Sequence, residues 1–142
     1  REKATAAAGV RHSKAGRQVI TTIHANDNIT AILRLIELAE DSPLSVMDAV
    51  RGVISQRLVG KLNPNWDPDR DPFLDKYKGR VPIHEVLTVT DELTEAVMSG
   101  AALSEIKRIA LENSPSTFLI DAERLISAGI TDEEEIRRVL GE

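Results

Sequence analysis

Residues 16–28, "GRQVITTIHANDN", carry the side chains of this chain best suited to chemistry. Thr22, His24, Asn26, Asp27 and Asn28 crowd into seven positions behind a short apolar run. Histidine is the side chain most easily retuned near neutral pH, as a proton carrier, ligand or hydrogen-bond donor. In open α/β sheets ligands bind beyond the carboxyl ends of strands, which is where a strand over 18–23 would deliver His24. A second reading needs no ligand, because Asx side chains also make turns and cap helices. Both readings stand on position alone.

Other constellations are weaker. Asp67, Asp69 and Asp71 imitate positions 1, 3 and 5 of a calcium loop, but Pro72 stands where the glycine of the sharp turn belongs and Lys78 where the bidentate glutamate belongs. A solvated acidic loop accounts for that run better. His12, His24 and His84 show no paired ligand spacing, and there is no cysteine for a thiolate site, a disulfide or a nucleophile. Neither a G-x-S-x-G elbow nor a G-x-x-x-x-G-K-[ST] phosphate loop occurs.

The elements that would position these residues follow from periodicity. Helix formers over 2–14 end at Gly16, and the β-branched run Gln18–Ile23 reads as a buried strand of a parallel sheet. Asn28 or Thr30 would cap a helix to about Ala39. Ser42-Pro43 opens another, which the spacing of Val46, Met47, Val50, Val53, Ile54 and Leu58 extends to about Leu62. Residues 63–79, with Pro64, Pro68 and Pro72 among acids, form an irregular loop. Residues 80–89 read as a strand, with Pro82 favouring an edge or a bulge. Helices follow, capped at Thr90 or Asp91 and ended by Gly100, then over 102–112, 117–128 and 132–140. The last is opened by a capping box at Thr131-Asp132-Glu133-Glu134.

Composition bounds the classes. With 142 residues, 42% hydrophobic and only 3% aromatic, the chain can bury an aliphatic core. A net charge of −5 speaks against a nucleic-acid surface, and no apolar stretch is long enough to span a membrane. No secretory signal is visible, and the opening at Arg1 without preceding turn chemistry suggests a fragment of a longer polypeptide.

The residues then become recognisable. "GRQVITTIHANDN" resembles, without a gap, the histidine box G-H-L-V-L-S-T-L-H-T-N-D-A of the ATPases of type II secretion and type IV pilus assembly. "REKATA" resembles the R-D-x-E-T-A stretch that follows the Walker B glutamate in that family. "AVRGVISQRLVGKL" and "YKGRVPIHEVLTV" are similar to its A-Q-R-L-V-R-x-L and Y-K-G-R-x-G-I-H-E-L-L-x-V segments, and "ITDEEEIRRVL" to its closing T-x-E-E-V-x-R helix. The resemblance spans essentially the whole chain.

It implies an α/β fold: the C-terminal portion of a RecA-like P-loop ATPase core (1–62), the loop 63–79, and a strand with a C-terminal helical region (80–142). It implies a parent that uses ATP and Mg²⁺, assembles as a homo-hexamer in the cytoplasm, and drives inner-membrane platform proteins of a secretion or pilus system. His24 carries over as the residue facing the terminal phosphate. Thr22, Asn26 and Asp27 carry over as stabilisers of the turn or sensors of nucleotide state. Arg1, Arg57 and Arg80 carry over as phosphate-region or inter-subunit cations. The family's tetracysteine zinc subdomain has no counterpart in 63–79, so zinc is not carried over. Glu2 and Ala4 stand for the usual Asp and Glu, and Pro82 for a glycine. Lacking both Walker motifs, the 142 residues alone are expected to be inactive and to hold no nucleotide. The rival reading is a non-catalytic helical module that docks a partner through residues 90–142.

Overall fold

A computed structural model describes residues 2–67, 69–70 and 74–141. Helices α1 (Glu2–Lys14), α2 (Asn28–Ala39) and α3 (Pro43–Ala49) come first. Strands β1 (Gly52–Leu62) and β2 (Tyr77–Thr88) follow, then α4 (Asp91–Met98), α5 (Leu103–Glu112), α6 (Phe118–Ser127) and α7 (Glu133–Leu140). The chain divides into two compact units, one of Arg1–Ser55 and Val86–Pro115, the other of Gln56–Glu85 and Ser116–Glu142.

The first unit is built on helices. Gly16, at φ 80°, lets α1 end with the Arg17 N–H bonded back to the His12 carbonyl. Asp27 caps α2, a position the sequence assigns to Asn28 or Thr30. Ser42 caps α3 with Pro43 in its first turn, as expected. Ile29 and Ile32 of α2 and Met47 of α3 are buried with Leu87, Leu93, Ala96, Ile106, Ile109 and Ala110. A second cluster joins Val10 of α1 to Ala39 and Val46.

Two expected elements differ. Residues 18–23 are not a strand: the described residues contain one sheet, β1 with β2, and no neighbour pairs with this segment. Ile20 is 89% exposed there. A β-branched run becomes a strand only when another strand satisfies its backbone groups, and the parallel sheet expected around it is replaced by an antiparallel hairpin. The second difference is the helix expected to reach Leu62, which stops at Ala49 and gives way to β1. Val53, Ser55, Arg57 and Val59 turn inward while Ile54 and Leu58 turn out, a period of two that the helical spacing of the same apolar residues concealed.

In the second unit Val59 and Ile83 of the hairpin bury against Phe118, Ala122 and Leu125 of α6 and Ile136 of α7. β2 starts at Tyr77, three residues before the expected strand. Pro82 is tolerated because neither strand of a two-stranded sheet is central. The helix starts near 91, 103, 118 and 133 agree with the sequence, but the last cap is Asp132 rather than Thr131. Thr131 is buried and donates instead to the Gly60 carbonyl. Of the 63–79 loop, residues 68 and 71–73 lie outside the described residues, Asp71 and Pro72 of the calcium-like run among them.

Candidate functional site

The turn between residue 23 and the start of α2 is set by one carboxylate. Asp27 adopts an extended backbone (φ −151°, ψ 170°), and its Oδ1 accepts the Thr30 N–H at 2.7 Å. The cap satisfies a donor that the first helical turn cannot. The other oxygen faces Lys107 of α5, whose Nζ lies 3.4 Å from Oδ2. Burial pushes the Asp27 carboxyl up, but the Thr30 bonds and the Lys107 ammonium outweigh it and hold the group below the usual aspartate range. Behind the cap, Asn28 is 2% exposed and its side-chain oxygen accepts the Ser55 hydroxyl at 2.6 Å.

In front of the cap lies an open depression of about 430 Å³, lined by Ile23, His24, Ala25, Asn26, Thr30 and Arg34. Thr30 and Arg34 stand four residues apart and so share one face of α2. Arg34 also reaches toward Glu2 of α1, Nη2 to Oε2 3.5 Å, with both groups largely in solvent. The lining thus offers an imidazole, an amide, a hydroxyl and a guanidinium, a donor-rich set suited to an anion. Thr22 lies exposed just before it.

The other two histidines are held elsewhere. The Asp121 carboxylate accepts the His84 backbone N–H at 2.9 Å and lies 3.3 Å from its Nδ1, and the Arg17 guanidinium lies 3.5 Å from His12 Nδ1. Burial pushes the Asp121 carboxyl up, yet Arg124 and His84 together hold it below the usual range. Only His24 of the three lines the depression.

Of the expected cations, Arg57 and Arg80 belong to the second unit, and His24 to the first. Arg1 lies outside the described residues. Arg57 donates to the Val139 carbonyl at 2.9 Å and stacks over Phe118, 5.4 Å from the ring centroid, inside the second unit. Arg80 is exposed on β2 of that unit. Arg34 and Lys107 are residues the sequence did not single out, and Thr30 was expected only as a possible helix cap. For Thr30 and Arg34 the signal was present, since both follow Asp27 at helical spacing; for Lys107, 80 residues away, there was none. Among the described residues no group of three or more His, Cys, Asp or Glu is placed to hold a metal ion. No described helix is long and apolar enough to cross a membrane.

Residues 1–138 match the sequence model of the family described as "Type II/IV secretion system protein". The chain belongs to that family. It is 32% identical over 149 residues to the type II secretion system protein HxcR of Pseudomonas aeruginosa, covering 98% of this chain and 32% of that protein. It is 33% identical over 165 residues to the type IV pilus assembly ATPase PilB of Thermus thermophilus, covering 96% of this chain and 18% of that protein. The chain therefore spans about a third or less of the length of these relatives. Among solved structures, the ATPase DotB of Legionella pneumophila superposes with a TM-score of 0.70 at 18% identity, over 99% of this chain and 36% of that one. The fold of this secretion-family chain is that of a portion of an α/β ATPase core with its helices.

Proposed function

We propose that this chain is the C-terminal part of a hexameric motor ATPase, in which it contributes the histidine-bearing side of the nucleotide site. The observation that carries this reading is that His24 lines an anion-suited depression at the capped start of α2. That placement falls within a chain of the secretion family whose relatives include a pilus assembly ATPase. In this reading the His24 ring donates to the terminal phosphate of ATP, and Thr30 and Arg34 add a hydroxyl and a cation beside it. Phosphoryl transfer depends on positioned donors and cations, so these residue types suit the task. Thr22, Asn26 and Asp27 hold the turn that presents the ring.

The donor set fits the phosphates of ATP and not the Mg²⁺ that accompanies them. The neighbouring carboxylates, Asp27 and Glu2, are engaged by Thr30, Lys107 and Arg34. A phosphate loop from outside these residues supplies the main hold on nucleotide. Arg80, exposed on β2, is the better of the two remaining arginines for a contact between subunits of the hexamer, because Arg57 is engaged within its own unit. The motor works in the cytoplasm against inner-membrane partners of a secretion or pilus system.

The test is His24→Ala in the full-length ATPase. Turnover should fall by at least about tenfold, or 1.4 kcal/mol of transition-state stabilisation, while nucleotide affinity changes by less than about threefold. Wild-type turnover in that variant would remove the phosphate-facing role.

A further inference from the structure

Asp27 divides its two oxygens between two elements. Oδ1 caps its own helix, whereas Oδ2 faces Lys107, a residue of α5 that lies 80 positions away. The approach of α5 is not incidental. Its buried face, Ile106, Ile109 and Ala110, sits in the same cluster as Ile29 and Ile32 from the first turns of α2. That packing fixes where the backbone of residue 107 stands relative to the cap. α5 carries one other basic residue, Arg108, and its guanidinium is engaged within the helix by Glu105 and Glu112. Lys107 is thus the basic side chain of α5 that meets the His24 turn.

A cap alone leaves the carboxylate anchored at one oxygen. A second anchor from an element with its own buried face restrains the turn as a whole, and misplacement of a reacting group by about 1 Å costs on the order of 100-fold in rate. We propose that Lys107 is a positioning residue for His24: its ammonium holds the second oxygen of Asp27 and so fixes the turn that presents the imidazole. The inference rests on the reading of His24 as the phosphate-facing residue.

Lys107→Met, Lys107→Arg and Asp27→Asn are to be compared in the full-length ATPase, with His24→Ala in the same assay. Asn remains a good cap, so Asp27→Asn removes the charge without removing the cap. Lys107→Met should lower kcat about 3- to 10-fold, less than full misplacement would, with KM for ATP within about twofold. Lys107→Arg should restore most of the loss, and Lys107→Met should cost nothing further in the Asp27→Asn background. Raising salt from about 50 to 500 mM should narrow the gap between wild type and Lys107→Met, because a half-exposed pair is screened. Wild-type kcat in Lys107→Met overturns the proposal, as does an equal loss with and without the Asp27 charge. If His24→Ala turns over normally, the phosphate-facing reading falls and this proposal with it. If His24→Ala is slow while Lys107→Met is not, only the role of Lys107 is wrong.

Discussion

Asp27 and Asp132 make the same arrangement at two helix starts. Each caps its helix through the N–H three residues on, and each has a lysine against its second oxygen, Lys107 at 3.4 Å and Lys76 at 2.9 Å. Asp132 also accepts the Tyr77 hydroxyl. Both are partly buried, which by itself raises a carboxyl, yet the bonds and the ammonium groups hold both below the ordinary aspartate range. A depressed folded-state pKa contributes stability that is fully present above the unfolded value and is lost as pH falls through the folded value. Unfolding free energy measured in urea from pH 6 down to 3 should therefore be flat to about pH 4 and decline below it. Asp27→Asn should make that decline shallower. Asp27→Ala at neutral pH should cost about 1 kcal/mol, the ordinary value of a lost cap. The capping role was legible in the residue types of Asn26-Asp27-Asn28, but not which Asx does it. All three can cap, and the choice falls on the one whose second oxygen also meets Lys107, a tertiary fact.

At the scale of elements, the departures have a common cause. Val53, Ile54 and Leu58 satisfy helical spacing as well as alternation, so periodicity alone does not decide 52–62. Gly52 and Gly60 argue against a helix through the segment, and its β-branched residues favour a strand. A Cβ on Gly60 would stand 2.9 Å from Tyr77 Cγ and 3.0 Å from Glu135 Oε1. That closeness lets the Gly60 N–H reach the Glu135 carboxylate, which is 2% exposed and also gripped by Arg138. Arg138 first, with the Gly60 N–H, holds this carboxyl below the usual range in spite of its burial. The Glu135 side chain thus pins α7 to β1. Gly60→Ala should destabilise the chain by about 1–3 kcal/mol, through overpacking against Tyr77 and Glu135. Glu135→Ala should cost a similar amount, about 1–3 kcal/mol, by leaving a buried N–H without its acceptor. Denaturant midpoints at constant slope read both. The segment 18–23 fails as a strand for the complementary reason. Its residues have the propensity, and no described strand pairs with them. Local pattern therefore carried the helix starts, whose chemistry is local, and most of β2, and misread 18–23 and β1, where strand identity depends on partners.

For the whole molecule, the family was legible because its motifs lie on the elements that position the candidate site and brace the chain. The histidine box is the turn before α2, Gln56-Arg57-Leu58-Val59 is β1, and Tyr77–Glu85 is β2. The strength of that site follows from its contents. The depression at His24 is open and offers a handful of donors from Asn26, Thr30 and Arg34 besides the imidazole. Two or three charge-assisted hydrogen bonds at roughly 1.5–3 kcal/mol each amount to about 3–9 kcal/mol, from which an association cost of about 4–15 kcal/mol is subtracted. That corresponds to millimolar affinity or weaker. Tight holding of a triphosphate takes the backbone N–H groups and lysine of a G-x-x-x-x-G-K-[ST] loop, and no such run occurs in the 142 residues. Titration of the 142-residue chain with ATP and Mg²⁺ by calorimetry should give no saturable heat below about 1 mM, and the chain should release no phosphate. Micromolar binding would mean that the depression, rather than an added phosphate loop, is the main hold on nucleotide. In that case Arg34→Ala, which removes the guanidinium beside His24, should abolish the heat.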